Sequence, residues 1–498
     1  MIDDPHCDSE YAEPRIIGRR DHSVSRKLID PDALKVLYRL CNNGYKAYLV
    51  GGGVRDLLLG KTPKDFDVAT DAKPEEVRRL FRNSRIIGRR FRLAHVFFHG
   101  NKIVEVSTFR RSVTSLPAIE LEPTNGDDPP DDAIAPIDDP DHGPNGDQDG
   151  ADDFETASSD EHRIPPTEND YGTAEEDAKR RDITINALFY NIADFSIIDY
   201  VGGMDDLQNR VVRSVGCPHR SIKEDPVRMI RVIRHAARTG FAIDPATWEA
   251  ILEHARLIVH CSPARVREEF LRDLRGGASH LSFQMMVETG LLPVLFPAYE
   301  EVLAGEDGER TKEWLLRNLR GIDALNRKGP PLSDPMLLAA FVAPFVRHAR
   351  VLERAPEERA RVPYFHSEVR EVIKPIIRSF GFSKAHAENI CQTVIGMLLM
   401  ETAAREDRPL PRSLVGKVYF GDGYKLYCVE CEGRGDRLPP EFHQAFRKWE
   451  QKFTRRRDGG PAEAERDVPA PEPGRDGGPH RRRRRRSRRP KSPAEAAV

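Results

Sequence analysis

Between residues 45 and 69 a short strand, a run of three glycines, a short helix and a second strand follow one another closely. Residues 45–50 have the apolar character of a buried strand, and Gly51, Gly52 and Gly53 then lead into the helical segment VRDLLL. The second strand reads DFDVA. Strands that alternate with short helices indicate an α/β domain, and this pattern constrains the fold more than any other part of the chain.

Two aspartates stand two positions apart in the second strand. Asp65 and Asp67 are expected to share one face of that strand, because side chains alternate between its faces, while Phe66 and Val68 face the other way. Neighbouring carboxylates repel each other unless they hold a cation, and Mg²⁺ prefers such oxygen ligands. A solvated sheet face is the alternative for an isolated pair, but the preceding glycines favour the metal site.

The glycine triplet is expected to form a phosphate-binding turn. Glycines let the backbone approach a ligand closely, and the first amide groups of a helix attract phosphate. Arg55 adds a cation that pairs with phosphate, although a tight turn without a ligand is the alternative. A Walker A loop is excluded despite Gly60-Lys61-Thr62, because Arg55 stands where the first glycine of that motif is required. A glycine loop followed by an aspartate pair fits a nucleotidyltransferase that binds a triphosphate and two metal ions.

Five segments resemble the motifs of one family, in the order in which that family has them. Residues 49–81, LVGGGVRDLLLGKTPKDFDVATDAKPEEVRRLF, resemble the head-domain signature of class II nucleotidyltransferases, which comprise the bacterial poly(A) polymerases and the CCA-adding enzymes. The four later segments are RRDITINALFY (180–190), DYVGGMDDL (199–207), EDPVRMIRVIR (224–234) and ARVREEF (264–270). Together the motifs cover about residues 22–275.

The resemblance implies an α+β protein, with an N-terminal nucleotidyltransferase α/β head domain followed by all-α neck, body and tail domains. Together with composition and pattern, the resemblance implies the following division: a polar and basic extension (1–29), the head (30–215) with an acidic disordered insertion (112–170), a helical neck that binds the nucleotide base and RNA (216–280), a helical body that binds RNA (281–455), and a disordered Arg-rich tail (456–498).

The resemblance also assigns roles to single residues. Asp65 and Asp67 become catalytic metal ligands, and Glu105, on a strand expected to run beside them, becomes the candidate third ligand, with a solvent-facing glutamate as the alternative. Asp182 is assigned a catalytic or site-organising role. The implied mechanism is phosphoryl transfer from ATP to an RNA 3′-hydroxyl, assisted by two Mg²⁺ ions, with release of pyrophosphate.

Nucleotide selection is assigned to the start of a neck helix. Asp225 and Pro226 read as an N-cap followed by a proline at the first helical position, which places Arg228 in the first turn. An acceptor beside a donor can bind the hydrogen-bonding edge of a base, and the matching family residues select the incoming nucleotide. A helix cap with a local salt bridge is the alternative. Arg231 and Arg234 lie on roughly the same helix face, where they contact RNA phosphates or are merely solvated.

Charge is distributed in opposing blocks, although the formal net charge is only -2. Residues 112–162 contain 16 Asp and Glu and no Lys or Arg, whereas residues 481–491 contain nine basic residues and no acid. An arginine run binds phosphates without reading sequence, so RNA contact is expected at Arg481, Arg482 and Arg483. A solubilising tail or an anchor for an acidic partner is the alternative.

Three features favour poly(A) addition over CCA addition. Residues 86–98, which include Arg89, Arg90 and Arg92, resemble a stretch typical of bacterial poly(A) polymerases, and these arginines either contact RNA or form an exposed basic strand edge. Residues 22–45 resemble the same branch, and the arginine tail suits an enzyme that acts on varied RNA 3′ ends. A CCA-adding tRNA nucleotidyltransferase is the first alternative, and a catalytically silent RNA-binding protein is the second.

The sequence predicts a cytoplasmic protein without a membrane segment. No apolar run approaches the ~18–20 residues that span a bilayer, and the N-terminus MIDDPHCDSE is not a signal peptide. The seven cysteines of the chain are widely scattered and do not suggest a disulfide framework. The expected partners are ATP and RNA 3′ ends, and no protein partner is indicated.

Overall fold

The computed structural model describes residues 13–88, 92–111 and 171–457. An eight-stranded mixed sheet dominates the first part of the chain, with the strand order β1-β8-β7-β2-β3-β6-β5-β4. Its strands are β1 (Arg15–Ile17), β2 (Ala47–Val50), β3 (Asp67–Thr70), β4 (Ser84–Ile87), β5 (Leu93–Phe98), β6 (Lys102–Thr108), β7 (Leu188–Asn191) and β8 (Ile197–Asp199).

Five helices accompany the sheet: α1 (Pro31–Asn42), α2 (Gly52–Leu58), α3 (Pro74–Leu80), α4 (Ala174–Lys179) and α5 (Gly203–Asn209). The first begins as the sequence predicts, because the Asp30 carboxylate accepts hydrogen bonds from the backbone N–H groups of the first turn and Pro31 follows it. Its apolar stripe, which includes Leu37 and Leu40, is buried.

The pairing of the central strands places the aspartate pair beside Glu105. β3 is antiparallel to β2 and parallel to β6, with Val68 opposite Val106, so Asp67 and Glu105 stand side by side on neighbouring strands. Of the strand pairs in this described sheet, only β3 and β6 run parallel, while the others are antiparallel. The strand predicted from residue 65 begins at Asp67, and β1 and β4 are strands that the pattern does not predict.

Strands on both sides of the segment 112–170 belong to the same sheet, and the segment itself lies outside the described residues. Arg110 and Tyr171 form an isolated antiparallel bridge, and the Gly172 N–H donates to the Phe109 carbonyl over 3.0 Å. Asp177 of α4 accepts from the Arg110 N–H over 3.1 Å. The residues that flank the segment are therefore hydrogen-bonded to one another.

The rest of the described chain is helical except for one small strand pair, β9 (Val211–Val212) with β10 (Ala242–Ile243), which is a departure from the expected all-α neck. The helices are α6 (Pro218–Glu224), α7 (Arg228–Thr239), α8 (Pro245–His254), α9 (Pro263–Arg275), α10 (Ser279–Glu288), α11 (Leu291–Leu295), α12 (Pro297–Ala304), α13 (Gly308–Lys328), α14 (Asp334–His348), α15 (Glu358–Phe380), α16 (Lys384–Arg405), α17 (Arg412–Val415), α18 (Phe420–Arg434) and α19 (Pro440–Arg457).

Aromatic side chains hold α9 against helices that follow it in the chain. The Phe270 ring of α9 lies 5.0 Å from that of Phe283 and 4.8 Å from that of Phe380, centroid to centroid, in edge-to-face contacts. Edge-to-face pairs each add about 0.5–1.5 kcal/mol beyond the area that they bury. Among the described residues, no helix is both long enough and apolar enough to cross a bilayer. The mixed sheet in the first part of the chain and the helices that follow it confirm the α+β class predicted from the sequence.

Candidate active site

The glycine turn between β2 and α2 lies against the aspartate pair. Gly51 has φ +71° and ψ -146°, a conformation that side chains other than glycine rarely adopt. A Cβ atom at Gly51 would lie 3.6 Å from Asp67 Oδ2 and 3.6 Å from a guanidinium nitrogen of Arg181, and one at Gly53 would lie 3.3 Å from the Asp65 carbonyl oxygen. The glycines therefore allow the backbone to approach the Asp67 carboxylate and the main chain at Asp65 closely, while the phosphate contact expected of this turn stays a prediction.

Three carboxylates line one cavity. Asp65, Asp67 and Glu105 surround a space of about 320 Å³ together with Phe66 and Ile103. Asp65 precedes the strand rather than belonging to it, but it faces the same cavity as Asp67. Glu105 lies on the neighbouring strand β6, as expected. The structure thus brings together the three residues that the sequence proposes as metal ligands.

The electrostatics of this cavity favour a cation. Burial and the nearby carboxylates of Glu105 and Asp65 raise the pKa of Asp67 to about 6, although the Arg181 guanidinium opposes the shift. The shift means that ionised Asp67 lacks sufficient compensating positive charge in the protein alone. Carboxylate oxygens are ligands that Mg²⁺ prefers, so the donor set fits a divalent cation.

A second, larger cavity adjoins the first. It has a volume of about 570 Å³, and Asp65, Phe66 and Ile103 line both spaces. The loop before α1 and the stretch 62–66 form two of its walls. Lys102 lines it as well, and its ammonium group is paired with Asp30 and Asp32. A volume of this size lies in the range of small-molecule sites.

Arg55, for which the sequence predicts a phosphate contact, is bonded to other protein side chains instead. The side chain is 6% exposed, and its guanidinium donates to Asn186 Oδ1 over 2.7 Å and to Asp56 Oδ1 over 2.8 Å. It also lies 3.2 Å from Nδ1 of His235. Arg55 therefore joins α2 to the turn at Asn186 and to α7, and a role in holding these elements together accounts for its position without phosphate.

His235 of α7 lies in the same region and is not among the candidate site residues. Its Nε2 lies 3.3 Å from the Asn186 side-chain nitrogen, so the imidazole touches both Asn186 and Arg55. Burial lowers the pKa of His235 well below its ordinary value, in spite of the nearby Asp182 carboxylate. The spacing of residues in the sequence does not predict that His235 joins α2, through Arg55, to the RRDITIN segment, through Asn186.

Asp182 is bonded through both carboxylate oxygens. Arg231 of α7 donates to Oδ2 over 2.7 Å, and the Ile183 N–H donates to Oδ1 over 3.0 Å. Burial opposes the charged form, but the Arg231 guanidinium, through its charge and its hydrogen bond, outweighs burial and holds the pKa of Asp182 far below its ordinary value. Asp182 thus connects its motif to the neck helix, which supports the site-organising role among those considered.

Arg181 is a further residue that the candidate set omits. Its guanidinium contacts Asp177 Oδ2 over 2.9 Å and the Asn186 carbonyl over 3.3 Å, and it lies over the Phe189 ring. It is also the cation that counteracts the shift at Asp67. The doubled arginine of the RRDITIN segment was the available signal.

Asp225 and Arg228 lie near each other, but the predicted capping arrangement is wrong. Asp225 follows the last residue of α6, and α7 begins at Arg228 with Val227 at its N-cap position, so Asp225 stands two residues before the position from which it would cap the helix. Arg228 is in the first turn, as predicted, and its guanidinium donates to Ser221 Oγ over 2.6 Å and to the Arg180 carbonyl over 3.1 Å. Asp225 Oδ2 accepts from Arg265 over 2.8 Å.

Among the predicted RNA contacts, Arg234 needs correction. Its side chain is only 4% exposed, and its guanidinium is paired with Glu269 of α9, so a contact with RNA phosphate would have to break a buried ion pair. Arg231 is one-third exposed and pairs with Asp182. Arg92 is exposed and pairs with Glu75. The other proposed contacts, Arg89, Arg90, Arg481, Arg482 and Arg483, lie outside the described residues.

Comparison with known proteins identifies the family. Residues 47–213 match the poly A polymerase head domain, and residues 240–303 match a domain described as the probable RNA and SrmB-binding site of polymerase A. A poly(A) polymerase I of Salmonella typhimurium is 40% identical over 374 residues, which are 74% of this chain and 72% of that protein. This chain belongs to the poly(A) polymerase family.

Other members and relatives of the poly(A) polymerase family agree with this assignment. A poly(A) polymerase I of Escherichia coli O6:H1 is 42% identical over 68% of this chain and 66% of its own length. The CCA-adding enzyme of Bacillus subtilis is 32% identical over 55% of this chain and 58% of its own length. The fold resembles that of a CCA-adding enzyme in an apo form, with a TM-score of 0.52 at 19% identity over 86% of this chain and 85% of that one.

Proposed function

We propose that this enzyme transfers AMP from ATP to RNA 3′ ends without a template and releases pyrophosphate. The carrying observation is the convergence of Asp65, Asp67 and Glu105 on one cavity beside the glycine turn, in a chain of the poly(A) polymerase family. We also propose that the enzyme is cytoplasmic and that its chain is divided into head, neck, body and tail domains.

The carboxylates would hold two Mg²⁺ ions. When bound, such ions lower the pKa of the attacking hydroxyl and neutralise charge on the triphosphate. The protein supplies the geometry: Gly51 and Gly53 let the main chain approach the aspartates, and Arg181 counteracts part of the negative charge at Asp67. The cavity of about 570 Å³ that adjoins Asp65 is the proposed entry for one of the two substrates.

Incorporation assays separate the two candidate activities. We expect long A-tracts on an unstructured RNA supplied with ATP and little product with CTP. The alternative, CCA addition, has support from relatives that are 32% identical over 55% of this chain. Incorporation that requires tRNA and stops after C and A additions would replace the proposal with this alternative. Absence of incorporation from any nucleotide on either RNA would favour the catalytically silent RNA-binding protein.

Asp225 is proposed to select the base. Its Oδ1 is buried and has no hydrogen-bond partner among the residues that the structure describes, while Oδ2 accepts from Arg265. A free carboxylate oxygen accepts from the amino group of adenine but would face the carbonyl oxygen that guanine or uracil presents instead. Arg228, in the next helix turn, is the proposed donor, and binding would require it to leave or share its bond to Ser221.

Replacing Asp225 with asparagine is therefore expected to reduce the preference for ATP over GTP by about 10–100-fold, which corresponds to roughly 1–3 kcal/mol for a lost base contact. Ratios of kcat/KM for the two nucleotides measure this change. Glu224→Gln is the matched control, because Glu224 is the adjacent exposed carboxylate and pairs with Arg220. An unchanged ratio in the Asp225→Asn protein would remove Asp225 from base selection.

A further inference from the structure

Two histidines and a glutamate meet where α6 packs on α8, away from the cavities described above. His219 is near the start of α6, while Glu253 and His254 are the last two residues of α8. One ligand atom from each lies within 4.8 Å of the others. None of the three lines the carboxylate cavity or the cavity beside it.

The donor atoms are spaced as they are around a single metal ion. Nδ1 of His219 lies 3.1 Å from Nε2 of His254 and 3.3 Å from Oε2 of Glu253, and Nε2 of His254 lies 3.7 Å from Oε1 of Glu253. Ligands that bind one ion tetrahedrally at about 2.1 Å stand about 3.4 Å apart. The three distances bracket that value, so an ion could be bound with small side-chain adjustments.

The donor types favour a transition metal. Imidazole nitrogens suit Zn²⁺ and its neighbours, whereas Mg²⁺ prefers oxygen ligands, so this set is chemically distinct from the carboxylates around Asp67. Two histidines and one carboxylate also leave a fourth position for water. We propose that His219, Glu253 and His254 form a binding site for a Zn²⁺-type ion that fastens α6 to α8.

The contact between the two imidazoles already places their facing nitrogens side by side. His254 is 8% exposed, so packing around it restricts the position of its ring. Without an ion, one imidazole donates its proton to the other across the 3.1 Å contact. With an ion, both facing nitrogens would turn their lone pairs to the metal, and each ring would carry its proton on the opposite nitrogen.

Zn²⁺ titration of the full chain without a purification tag tests the site. Millimolar Mg²⁺ is kept present to occupy the carboxylate cavity, and binding is followed by calorimetry and by the thermal unfolding midpoint. We expect the chelator-treated wild type to bind Zn²⁺ and its midpoint to rise, because a ligand that binds only the folded state stabilises it. His219→Gln and Glu253→Gln are expected to weaken binding by at least about 10–100-fold, the loss typical even of residues that only support a ligand.

His260→Gln is the matched control, because His260 is exposed and lies outside the cluster. It should bind Zn²⁺ like the wild type. The half-buried His219 and the exposed Glu253 are chosen over buried His254 so that the variants fold. A wild type without a Zn²⁺-dependent shift, or a shift that survives in both the His219→Gln and Glu253→Gln proteins, overturns the proposal. The two imidazoles would then merely share a hydrogen bond.

Discussion

Asp67→Asn is expected to remove AMP incorporation almost completely and to leave the protein folded. Asp67 is the most buried of the three cavity carboxylates, and Glu105 and Asp65 both lie close enough to raise its pKa. Replacing Asp67 removes negative charge that the proposed Mg²⁺ ions would require, and with it several kcal/mol of transition-state stabilisation. Because each 1.36 kcal/mol corresponds to tenfold in rate, the loss should be at least about 1,000-fold.

The same substitution should raise stability in a metal-free buffer near pH 8. The folded protein disfavours ionised Asp67, whose pKa is raised from 3.8 to about 6, so above pH 6 this carboxylate destabilises the fold. Below pH 3.8 it is protonated in both states and the penalty disappears. The Asp67→Asn protein should therefore be more stable than the wild type by on the order of 1–3 kcal/mol at pH 8 and no more stable near pH 3.5, as measured by urea unfolding.

Asp71→Asn is the matched control for both measurements. Asp71 follows the same strand and is exposed, and its Oδ1 accepts a hydrogen bond from the Lys46 N–H, which an asparagine oxygen also accepts. This variant should keep full activity and near wild-type stability. Equal activity of the Asp67→Asn protein and the wild type would show that the chemistry takes place elsewhere.

Asp182→Asn is expected to destabilise the protein by about 3 kcal/mol. Both oxygens of Asp182 are bonded, and Arg231 loses its closest carboxylate when the charge is removed. Breaking a buried ion pair from one side costs about 3–5 kcal/mol, because the remaining charge is left uncompensated. The lower end applies here, since Arg231 is one-third exposed and also reaches Glu269. Chemical unfolding of both proteins measures the difference.

The double variant Asp182→Asn/Arg231→Met shows whether the lost pair is the cause. It should recover most of the stability, because neither charge remains buried. Asp205→Asn is the matched control: Asp205 forms an exposed ion pair with Arg15 and is 64% exposed, so its loss should change stability by less than about 1 kcal/mol. If the double variant regains stability and also substantial activity, Asp182 is a positioning residue. Regained stability without activity would assign it a direct part in catalysis.

Local patterns and the family resemblance together predicted which carboxylates line the cavity. The glycine turn, the aspartate pair and the strand with Glu105 lie within about 55 residues of one another in the sequence, and alternation along neighbouring strands brings their side chains together. The predicted strand boundaries were less accurate. Asp65 lies just before β3, because the strand begins at Asp67, which pairs with Val50 of β2. The sequence of one strand does not show where its pairing with another strand begins.

Long-range pairing of charged side chains was not predicted from the sequence. Asp182 and Arg234 look like unpaired charges in their own segments, but Asp182 pairs with Arg231, 49 residues away, and Arg234 pairs with Glu269, 35 residues away. A basic helix face looks the same in sequence whether it meets RNA or an acidic partner helix. The face of α7 that carries Arg234 meets Glu269 of α9, which the pattern of α7 alone does not reveal.

The meeting of Phe109 with Gly172 has an evolutionary consequence. Because the main chain leaves and re-enters the sheet within one hydrogen bond, the number of residues between these points does not affect how the strands pair. Each doubling of a flexible connection costs only about 0.6 kcal/mol of closure entropy. Insertions and deletions between these two points are therefore expected to cost the fold little free energy, so that evolution can change the length of the segment without disturbing the sheet.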